Sequence, residues 1–463
     1  MQDPLNPFQP DGIGPGGLLS NGGGGAVGAT RHASFTHPDP PGPPPPYDSV
    51  VMGDANAAAG GSGGADGGGG TRDFEIVVAD PVKQGEGVSA FVSYKVRSRT
   101  NLAQYARPSN EVIRRFRDFA WLHDRLAEEK RGVIVPPLPE KNAVQKFTMG
   151  TDFIEERRRA LQVFVNRVAS HPELKATRAL QRFLESNEDE FALEVALTTA
   201  AAGGAAKKRL DGAVGWFKGL GGAATSLVAG KSSSDAAEDP EYVKVRDYLT
   251  QLESHLGEAA RQAGRLVAKE TELTEALGEF GQSIEKLGRL EEGNVAEAFQ
   301  QLASKAQGMS ESRKGQVAQL AARFEAPIKE AVRFVRAATN VCNDRGVALA
   351  AMQAAKHDLD TKKVRYAKLR GTPGSASDKL LEAERDVTEA EGRVSKARAS
   401  YEELVSTLTE ELNRFQKERA ADTNALLRDL ALVQASLAAD GAKGWSALLN
   451  ELQAIQGNAP AAS

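Results

Sequence analysis

The sequence predicts an α+β domain over residues 73–187 followed by an all-α rod of three long helices over residues 240–455. Three observations predict it. Phe74, Ile76 and Val78, then Val88, Ala90, Val92, Tyr94 and Val96, alternate with the period of half-buried strands. Tyr242, Val245, Leu249, Leu252, Leu256, Ala259, Ala263 and Leu266 recur in steps of three and four, the stripe of a helix packed on another helix. Leu380, Val387, Val394, Tyr401, Leu408 and Phe415 repeat at a strict seven. An average globular helix is roughly 11–12 residues, so stripes of this length imply a rod.

Residues 1–72 are low complexity, with Gly22 to Gly25, Pro43 to Pro46 and Gly67 to Gly70. Such a segment has too little apolar area to offset the entropy of ordering, so it reads as a disordered Gly/Pro-rich tail. The formal net charge of −4 is too small to argue for nucleic acid. The single cysteine, Cys342, excludes an intramolecular disulfide framework and reads as a buried structural thiol. The opening residues show no basic-plus-apolar leader, and no apolar run reaches the roughly 18 residues of a membrane span. Any membrane association is therefore expected to be peripheral.

In the first domain a hairpin through Gly85-Glu86-Gly87 and a third strand over Glu111 to Phe116 give a three-stranded sheet. A short helix carries Phe119, Leu122 and Leu126 on one face. The proline loop Pro136-Pro137-Leu138-Pro139-Glu140-Lys141 excludes a helix. The next helix starts at about Asp152, a plausible N-cap, and stops near Ser170-His171-Pro172. A last short helix over Thr177 to Leu184 closes the unit.

Basic residues cluster at the ends of these elements. Arg114-Arg115-Phe116 end the third strand, Lys141 ends the proline loop, and Arg157-Arg158-Arg159 open the following helix. Consecutive strand residues face opposite ways, so only one of Arg114 and Arg115 enters a common pocket. Arginine suits a bidentate grip on phosphate, and an aromatic beside it can stack on a flat sugar or inositol face.

These three motifs, with Arg117-Asp118-Phe119 after the first and Phe153-Ile154-Glu155-Glu156 before the third, resemble the phosphoinositide-binding PX domain of sorting nexins. The resemblance implies that Arg115 grips the 3-phosphate and that Phe116 stacks on the inositol ring, where the family more often has Tyr. It implies Lys141 on the 1-phosphate and Arg157 on the ring hydroxyls. Arg117 replaces a small residue and leaves open an extra contact. In the loop Asn142 to Thr151, Val144, Phe147 and Met149 are expected to dip into the lipid interface.

The connector, residues 188–239, carries a candidate amphipathic helix. Leu210, Ala213, Val214, Phe217 and Leu220 share a face beside Lys207, Lys208, Trp216 and Lys218. A cationic, glycine-weakened segment of this kind forms better on an anionic membrane than in water. Trp216, Phe217 and Leu220 are the expected membrane contacts. Gly230-Lys231-Ser232 is not a nucleotide-binding loop, because Thr225 stands where that motif needs glycine.

The spacing divides the rod at Gly308 and at Gly371-Thr372-Pro373-Gly374, with the third helix ending near Leu437 or Asp440-Gly441. Asp239 caps the first helix, with Pro240 at its first position. Pro327, inside the second stripe, is expected to kink it. Residues 241–304 hold 7 basic and 12 acidic side chains, whereas 301–370 hold 14 and 6. The densest basic run is Lys362, Lys363, Arg365, Lys368 and Arg370. Three long kinked helices after a PX domain resemble a BAR domain, whose implied form is an antiparallel dimeric crescent with basic tips on anionic lipid.

The expected function is phosphoinositide binding and curvature sensing in endosomal cargo sorting, similar to the retromer-associated sorting nexins. Phosphatidylinositol 3-phosphate, anionic membrane, a self or related nexin and retromer cargo-recognition subunits are the implied partners. The alternative is a coiled-coil scaffold or tether addressed to endosomes by its PX domain. No enzyme, cofactor or metal site is expected: His32, His37, His123, His171, His255 and His357 lack ligand spacing. His123 and His171 read as surface or packing residues of the first domain.

Overall fold

The computed structural model describes residues 73–85, 90–140, 150–199, 239–372 and 377–457. The first domain is built on an antiparallel sheet in the order β1 (Phe74–Gln84), β2 (Phe91–Thr100), β3 (Ser109–Arg115). Phe74, Ile76, Val78, Tyr94, Val96 and Val112 bury one face, as their alternation requires. Against it pack α1 (Phe116–Glu129), α2 (Thr151–Ser170) and α3 (Arg178–Glu185) through Phe119, Leu122, Leu161, Phe164, Leu180 and Phe183. Residues 188–199 add a further helical segment that seats Phe191 in the same core. Two local expectations shift. Phe116 opens α1 rather than ending β3, and Gly150, not Asp152, is the cap of α2.

The second domain comprises α4 (Pro240–Gly288), α5 (Gly293–Leu320), a π-helical turn (Ala321–Glu325), α6 (Ala326–Arg370) and α7 (Ser377–Gly457). Asp239 caps α4 by accepting from Glu241 N–H at 3.0 Å, with Pro240 behind it. The first break lies at residues 289–292, where Gly293 takes φ +63°, and not at Gly308, which is inside α5. Isolated glycines are tolerated in a helix whose packing outweighs about 1 kcal/mol each. For the same reason Asp440-Gly441 does not end α7, which runs on to Gly457. Pro327 is accommodated by the π turn just before it, where Ala326 N–H reaches back to Ala321 C=O.

Tyr242, Val245, Leu249, Phe334, Val335, Cys342, Leu408 and Phe415 form the centre of the helical core. Cys342 is buried there, as expected. Of the heptad on α7, Leu408 and Phe415 are buried, while Leu380, Val387, Val394 and Tyr401 are half-buried. On α4 a second heptad, Leu266, Leu273, Phe280 and Leu287, is left 38–55% exposed in the single chain.

The two domains share a joint. Ile134 of the proline loop is fully buried within the helical core, not in that of its own domain. Its N–H donates to Glu411 Oε2 at 3.0 Å, and His171 Nε2 lies 3.1 Å from the same oxygen. His171 Nδ1 accepts from the N–H groups of Glu173 and Leu174, so Nε2 carries the proton and donates. Arg414 completes the cluster at 2.7 Å. His171 is thus a packing residue as expected, but of the interdomain joint. One turn back in α2, Arg167 pairs with Glu330 of α6 at 2.7 Å and Asp422 of α7 at 2.8 Å.

Candidate lipid-binding site

The site lies where β3 turns into α1 beside the first turns of α2. Arg114 and Arg115 part company there, as strand geometry demands. Arg114 is 1% exposed and donates to the carbonyls of Phe183 (3.0 Å), Ser186 (2.6 Å) and Ile113 (2.9 Å). Burial pushes its pKa down to about 10, against the pull of Asp118 and Glu188. It is a structural cation. Arg115 lies opposite Ser93 in the β2–β3 register, which brings its guanidinium diagonally over the Phe91 ring at 4.6 Å. Its backbone N–H is fixed by the Asp118 carboxylate at 2.7 Å.

Arg157 is held between two rings, 4.8 Å from Phe116 and 4.4 Å from Phe153, and donates to the Glu140 carbonyl at 3.2 Å. Burial lowers its pKa, opposed by Tyr94 and Glu156. Tyr94 beneath is buried and pushed up to about 12, mainly by desolvation, with Arg157 pulling the other way. The other two arginines of the triplet do not join this corner. Arg158 is held by Glu155 and the Val78 carbonyl, and Arg159 lies 3.4 Å from Glu155. The structure therefore brings Phe116 and Arg157 to one half-buried corner with the end of the proline loop, and Arg115, one residue before Phe116, carries its guanidinium over Phe91. Arginine forks over aromatic planes suit an anion carried on a flat ring.

Residues 105–187 match the family described as "PX domain", and residues 219–433 match "Vps5 C terminal like". The chain is 35% identical over 382 residues to "Sorting nexin 1" of Arabidopsis thaliana, covering 82% of this chain and 92% of that one. The chain belongs to the sorting nexins. It is also 29% identical over 399 residues to "Sorting nexin-2" of Homo sapiens, covering 83% of this chain and 73% of that protein. The cryo-EM structure of the SNX-BAR Mvp1 tetramer matches at TM-score 0.56 over 81% of this chain and 99% of that chain. At 15% identity it shows the fold alone. Membrane binding and trafficking come with this family, and dimerisation with its BAR domain.

In this sorting nexin the basic run at the end of α6 is less free than its sequence suggests. Lys362 pairs with Asp358 at 3.2 Å, Lys363 with Glu391 at 3.0 Å and Arg365 with Asp386 at 3.4 Å. Lys368 and Arg370 have no carboxylate within ion-pair distance among the described residues. Lys141, Val144, Phe147 and Met149, and Trp216, Phe217 and Leu220, lie outside the described residues. No described helix is long and apolar enough to cross a membrane.

Sequence reading missed Phe91 and gave Phe153 no role. Phe91 has the opposite strand parity to Tyr94, and the pairing of Ser93 with Arg115, which sets Phe91 diagonally across from Arg115, was the signal that would have found it. It also missed Glu411, whose importance depends on contacts with residues 134 and 171. No local pattern marks such a contact.

Proposed function

We propose that this sorting nexin is a non-catalytic membrane scaffold that binds a 3-phosphoinositide on the cytosolic face of endosomes and acts in retrograde cargo sorting. The arrangement that supports the reading is the corner where Arg157 lies over Phe116 and holds the end of the proline loop, with Arg115 one residue before Phe116. Arg115 takes the 3-phosphate, Phe116 stacks on the inositol ring, and Arg157 takes ring hydroxyls. Lys141, by sequence, takes the 1-phosphate. Val144, Phe147 and Met149 and the segment with Trp216, Phe217 and Leu220 add apolar contact with the bilayer.

The exposed heptad Leu266, Leu273, Phe280 and Leu287 supports dimerisation through α4, with a second copy or a related nexin. The dimer is read as a crescent whose basic tips meet anionic lipid and stabilise a tubule, with retromer cargo-recognition subunits as partners. Joining several weak contacts in one dimer raises the effective concentration of the later ones. Sedimentation with vesicles containing phosphatidylinositol 3-phosphate tests the pocket. Arg115→Ala is expected to lose most of the bound fraction, and unchanged binding refutes the assignment.

A second reading is an endosomal tether that does not bend membrane. The ion pairs of Lys362, Lys363 and Arg365 favour it, because they already compensate part of the tip charge. Exposed pairs of this kind are worth about 0–1 kcal/mol, so anionic lipid can compete for them. Electron microscopy of vesicles mixed with protein separates the two: tubules support the crescent, and round vesicles support the tether.

A further inference from the structure

The two segments that carry the lipid corner are each tied at their other end to the helical domain. The proline loop starts at Gly132, whose added Cβ would meet Leu404 C=O at 3.2 Å and Thr407 at 3.2 Å, and passes through Ile134, sealed in the helical core. Its last described residue, Glu140, offers its carbonyl to Arg157. Helix α2 carries Arg157 in its second turn and, ten residues on, Arg167, which bridges Glu330 and Asp422. Both segments are therefore held twice, once by each other at the lipid corner and once by α6 and α7. The Glu411 carboxylate, 4% exposed, is the shared acceptor that closes the joint.

We propose that the BAR domain positions the lipid clamp of the PX domain, Glu411 holding the proline loop through Ile134, and Glu330 and Asp422 holding α2 through Arg167. Glu411 and Arg167 are positioning residues with no part in the headgroup contact. The site is then a product of two domains. The proposal rests on the reading of Arg115, Phe116 and Arg157 as the phosphoinositide site.

The test uses the full chain and the soluble headgroup inositol 1,3-bisphosphate, so that bilayer charge and dimer avidity play no part. Calorimetric titration is run well below the melting temperature of each variant. Arg167→Gln, which removes both ion pairs of α2 with the rod, is expected to weaken binding by about 5- to 10-fold. Arg167→Lys is expected to restore most of it, which a purely space-filling role would not do. Glu411→Gln keeps an acceptor oxygen and is expected to bind better than Glu411→Ala. Should Glu411→Ala fail to fold, amide exchange on the parent answers the same question: headgroup is expected to slow exchange over residues 404–415. Parent-like affinity in Arg167→Gln, with exchange over 404–415 unmoved, overturns the proposal while Arg115→Ala still abolishes binding. If Arg115→Ala binds as well as the parent, the pocket reading falls and takes this proposal with it.

Discussion

Replacing Arg114 and replacing Arg115 should damage different properties of the protein, although the two are neighbours of the same type. Arg114→Met removes three hydrogen bonds from a charged donor to the Phe183, Ser186 and Ile113 carbonyls. At about 1.5–3 kcal/mol each, these amount to roughly 4.5–9 kcal/mol. Against this stands the relief of a buried cation, whose pKa is pushed down to about 10. That shift is worth about 3 kcal/mol. Hydrogen bonding wins, and a net loss of about 1.5–6 kcal/mol lowers the melt by roughly 5–20 °C for a unit of this size. Arg115→Ala gives up one contact over Phe91, worth about 0.5–1 kcal/mol, so its melt should stay within a few degrees of the parent. Tryptophan fluorescence melts, with Trp121 in the first domain, and vesicle sedimentation are run on both variants. The reasoning is refuted if Arg114→Met melts with the parent, or if Arg115→Ala loses stability and keeps lipid.

Three further outcomes are expected. Glu411 is held at a pKa of about 2: burial raises it, but hydrogen bonds from His171 and Arg414 together outweigh burial. Its folded pKa is below the unfolded value, so its stabilisation is present above about pH 4.5 and is lost as pH falls towards 2. The gap in urea midpoint between parent and Glu411→Gln should therefore shrink over that window. Gly132→Ala places a Cβ at φ +87° against the α7 backbone; a loss of about 1–3 kcal/mol is expected, read as faster proteolysis between the domains. Leu273→Asp with Phe280→Asp puts charge into the exposed α4 heptad; sedimentation velocity should show monomer with little change in the melt of the first domain.

The parts of the fold that were legible in the sequence are those set by period. Alternation placed β1 and β2, and steps of three and four placed α4, because each pattern needs only local geometry. Helix ends read from glycine fared worse. Gly308 and Gly441 sit inside α5 and α7 with open space beside them, while the true break at residues 289–292 lies between Gly288 and Gly293. At the site, strand parity correctly separated Arg114 from Arg115, but assigned neither to its partner. The ring of Phe91 and the carboxylate of Glu411 come from other segments, and no spacing within one segment encodes them. The tip charge was overread for the same reason: Glu391 and Asp386 lie on the next helix.

The π turn gives the long middle rod a change of phase. Before it, buried positions follow Ala303, Ser310 and Val317; after it they follow Ile328, Val335, Cys342 and Leu349, again at seven. From Val317 to Ile328 is eleven residues, a four-residue stutter in the count. Both halves pack on α4 and α7, in two different phases, and the turn is the coupling between them. Deleting one residue from Ala321–Glu325 would rotate everything beyond it by about 100°. The tip cations Lys368 and Arg370 would then point away from whatever surface the rest of the rod addresses.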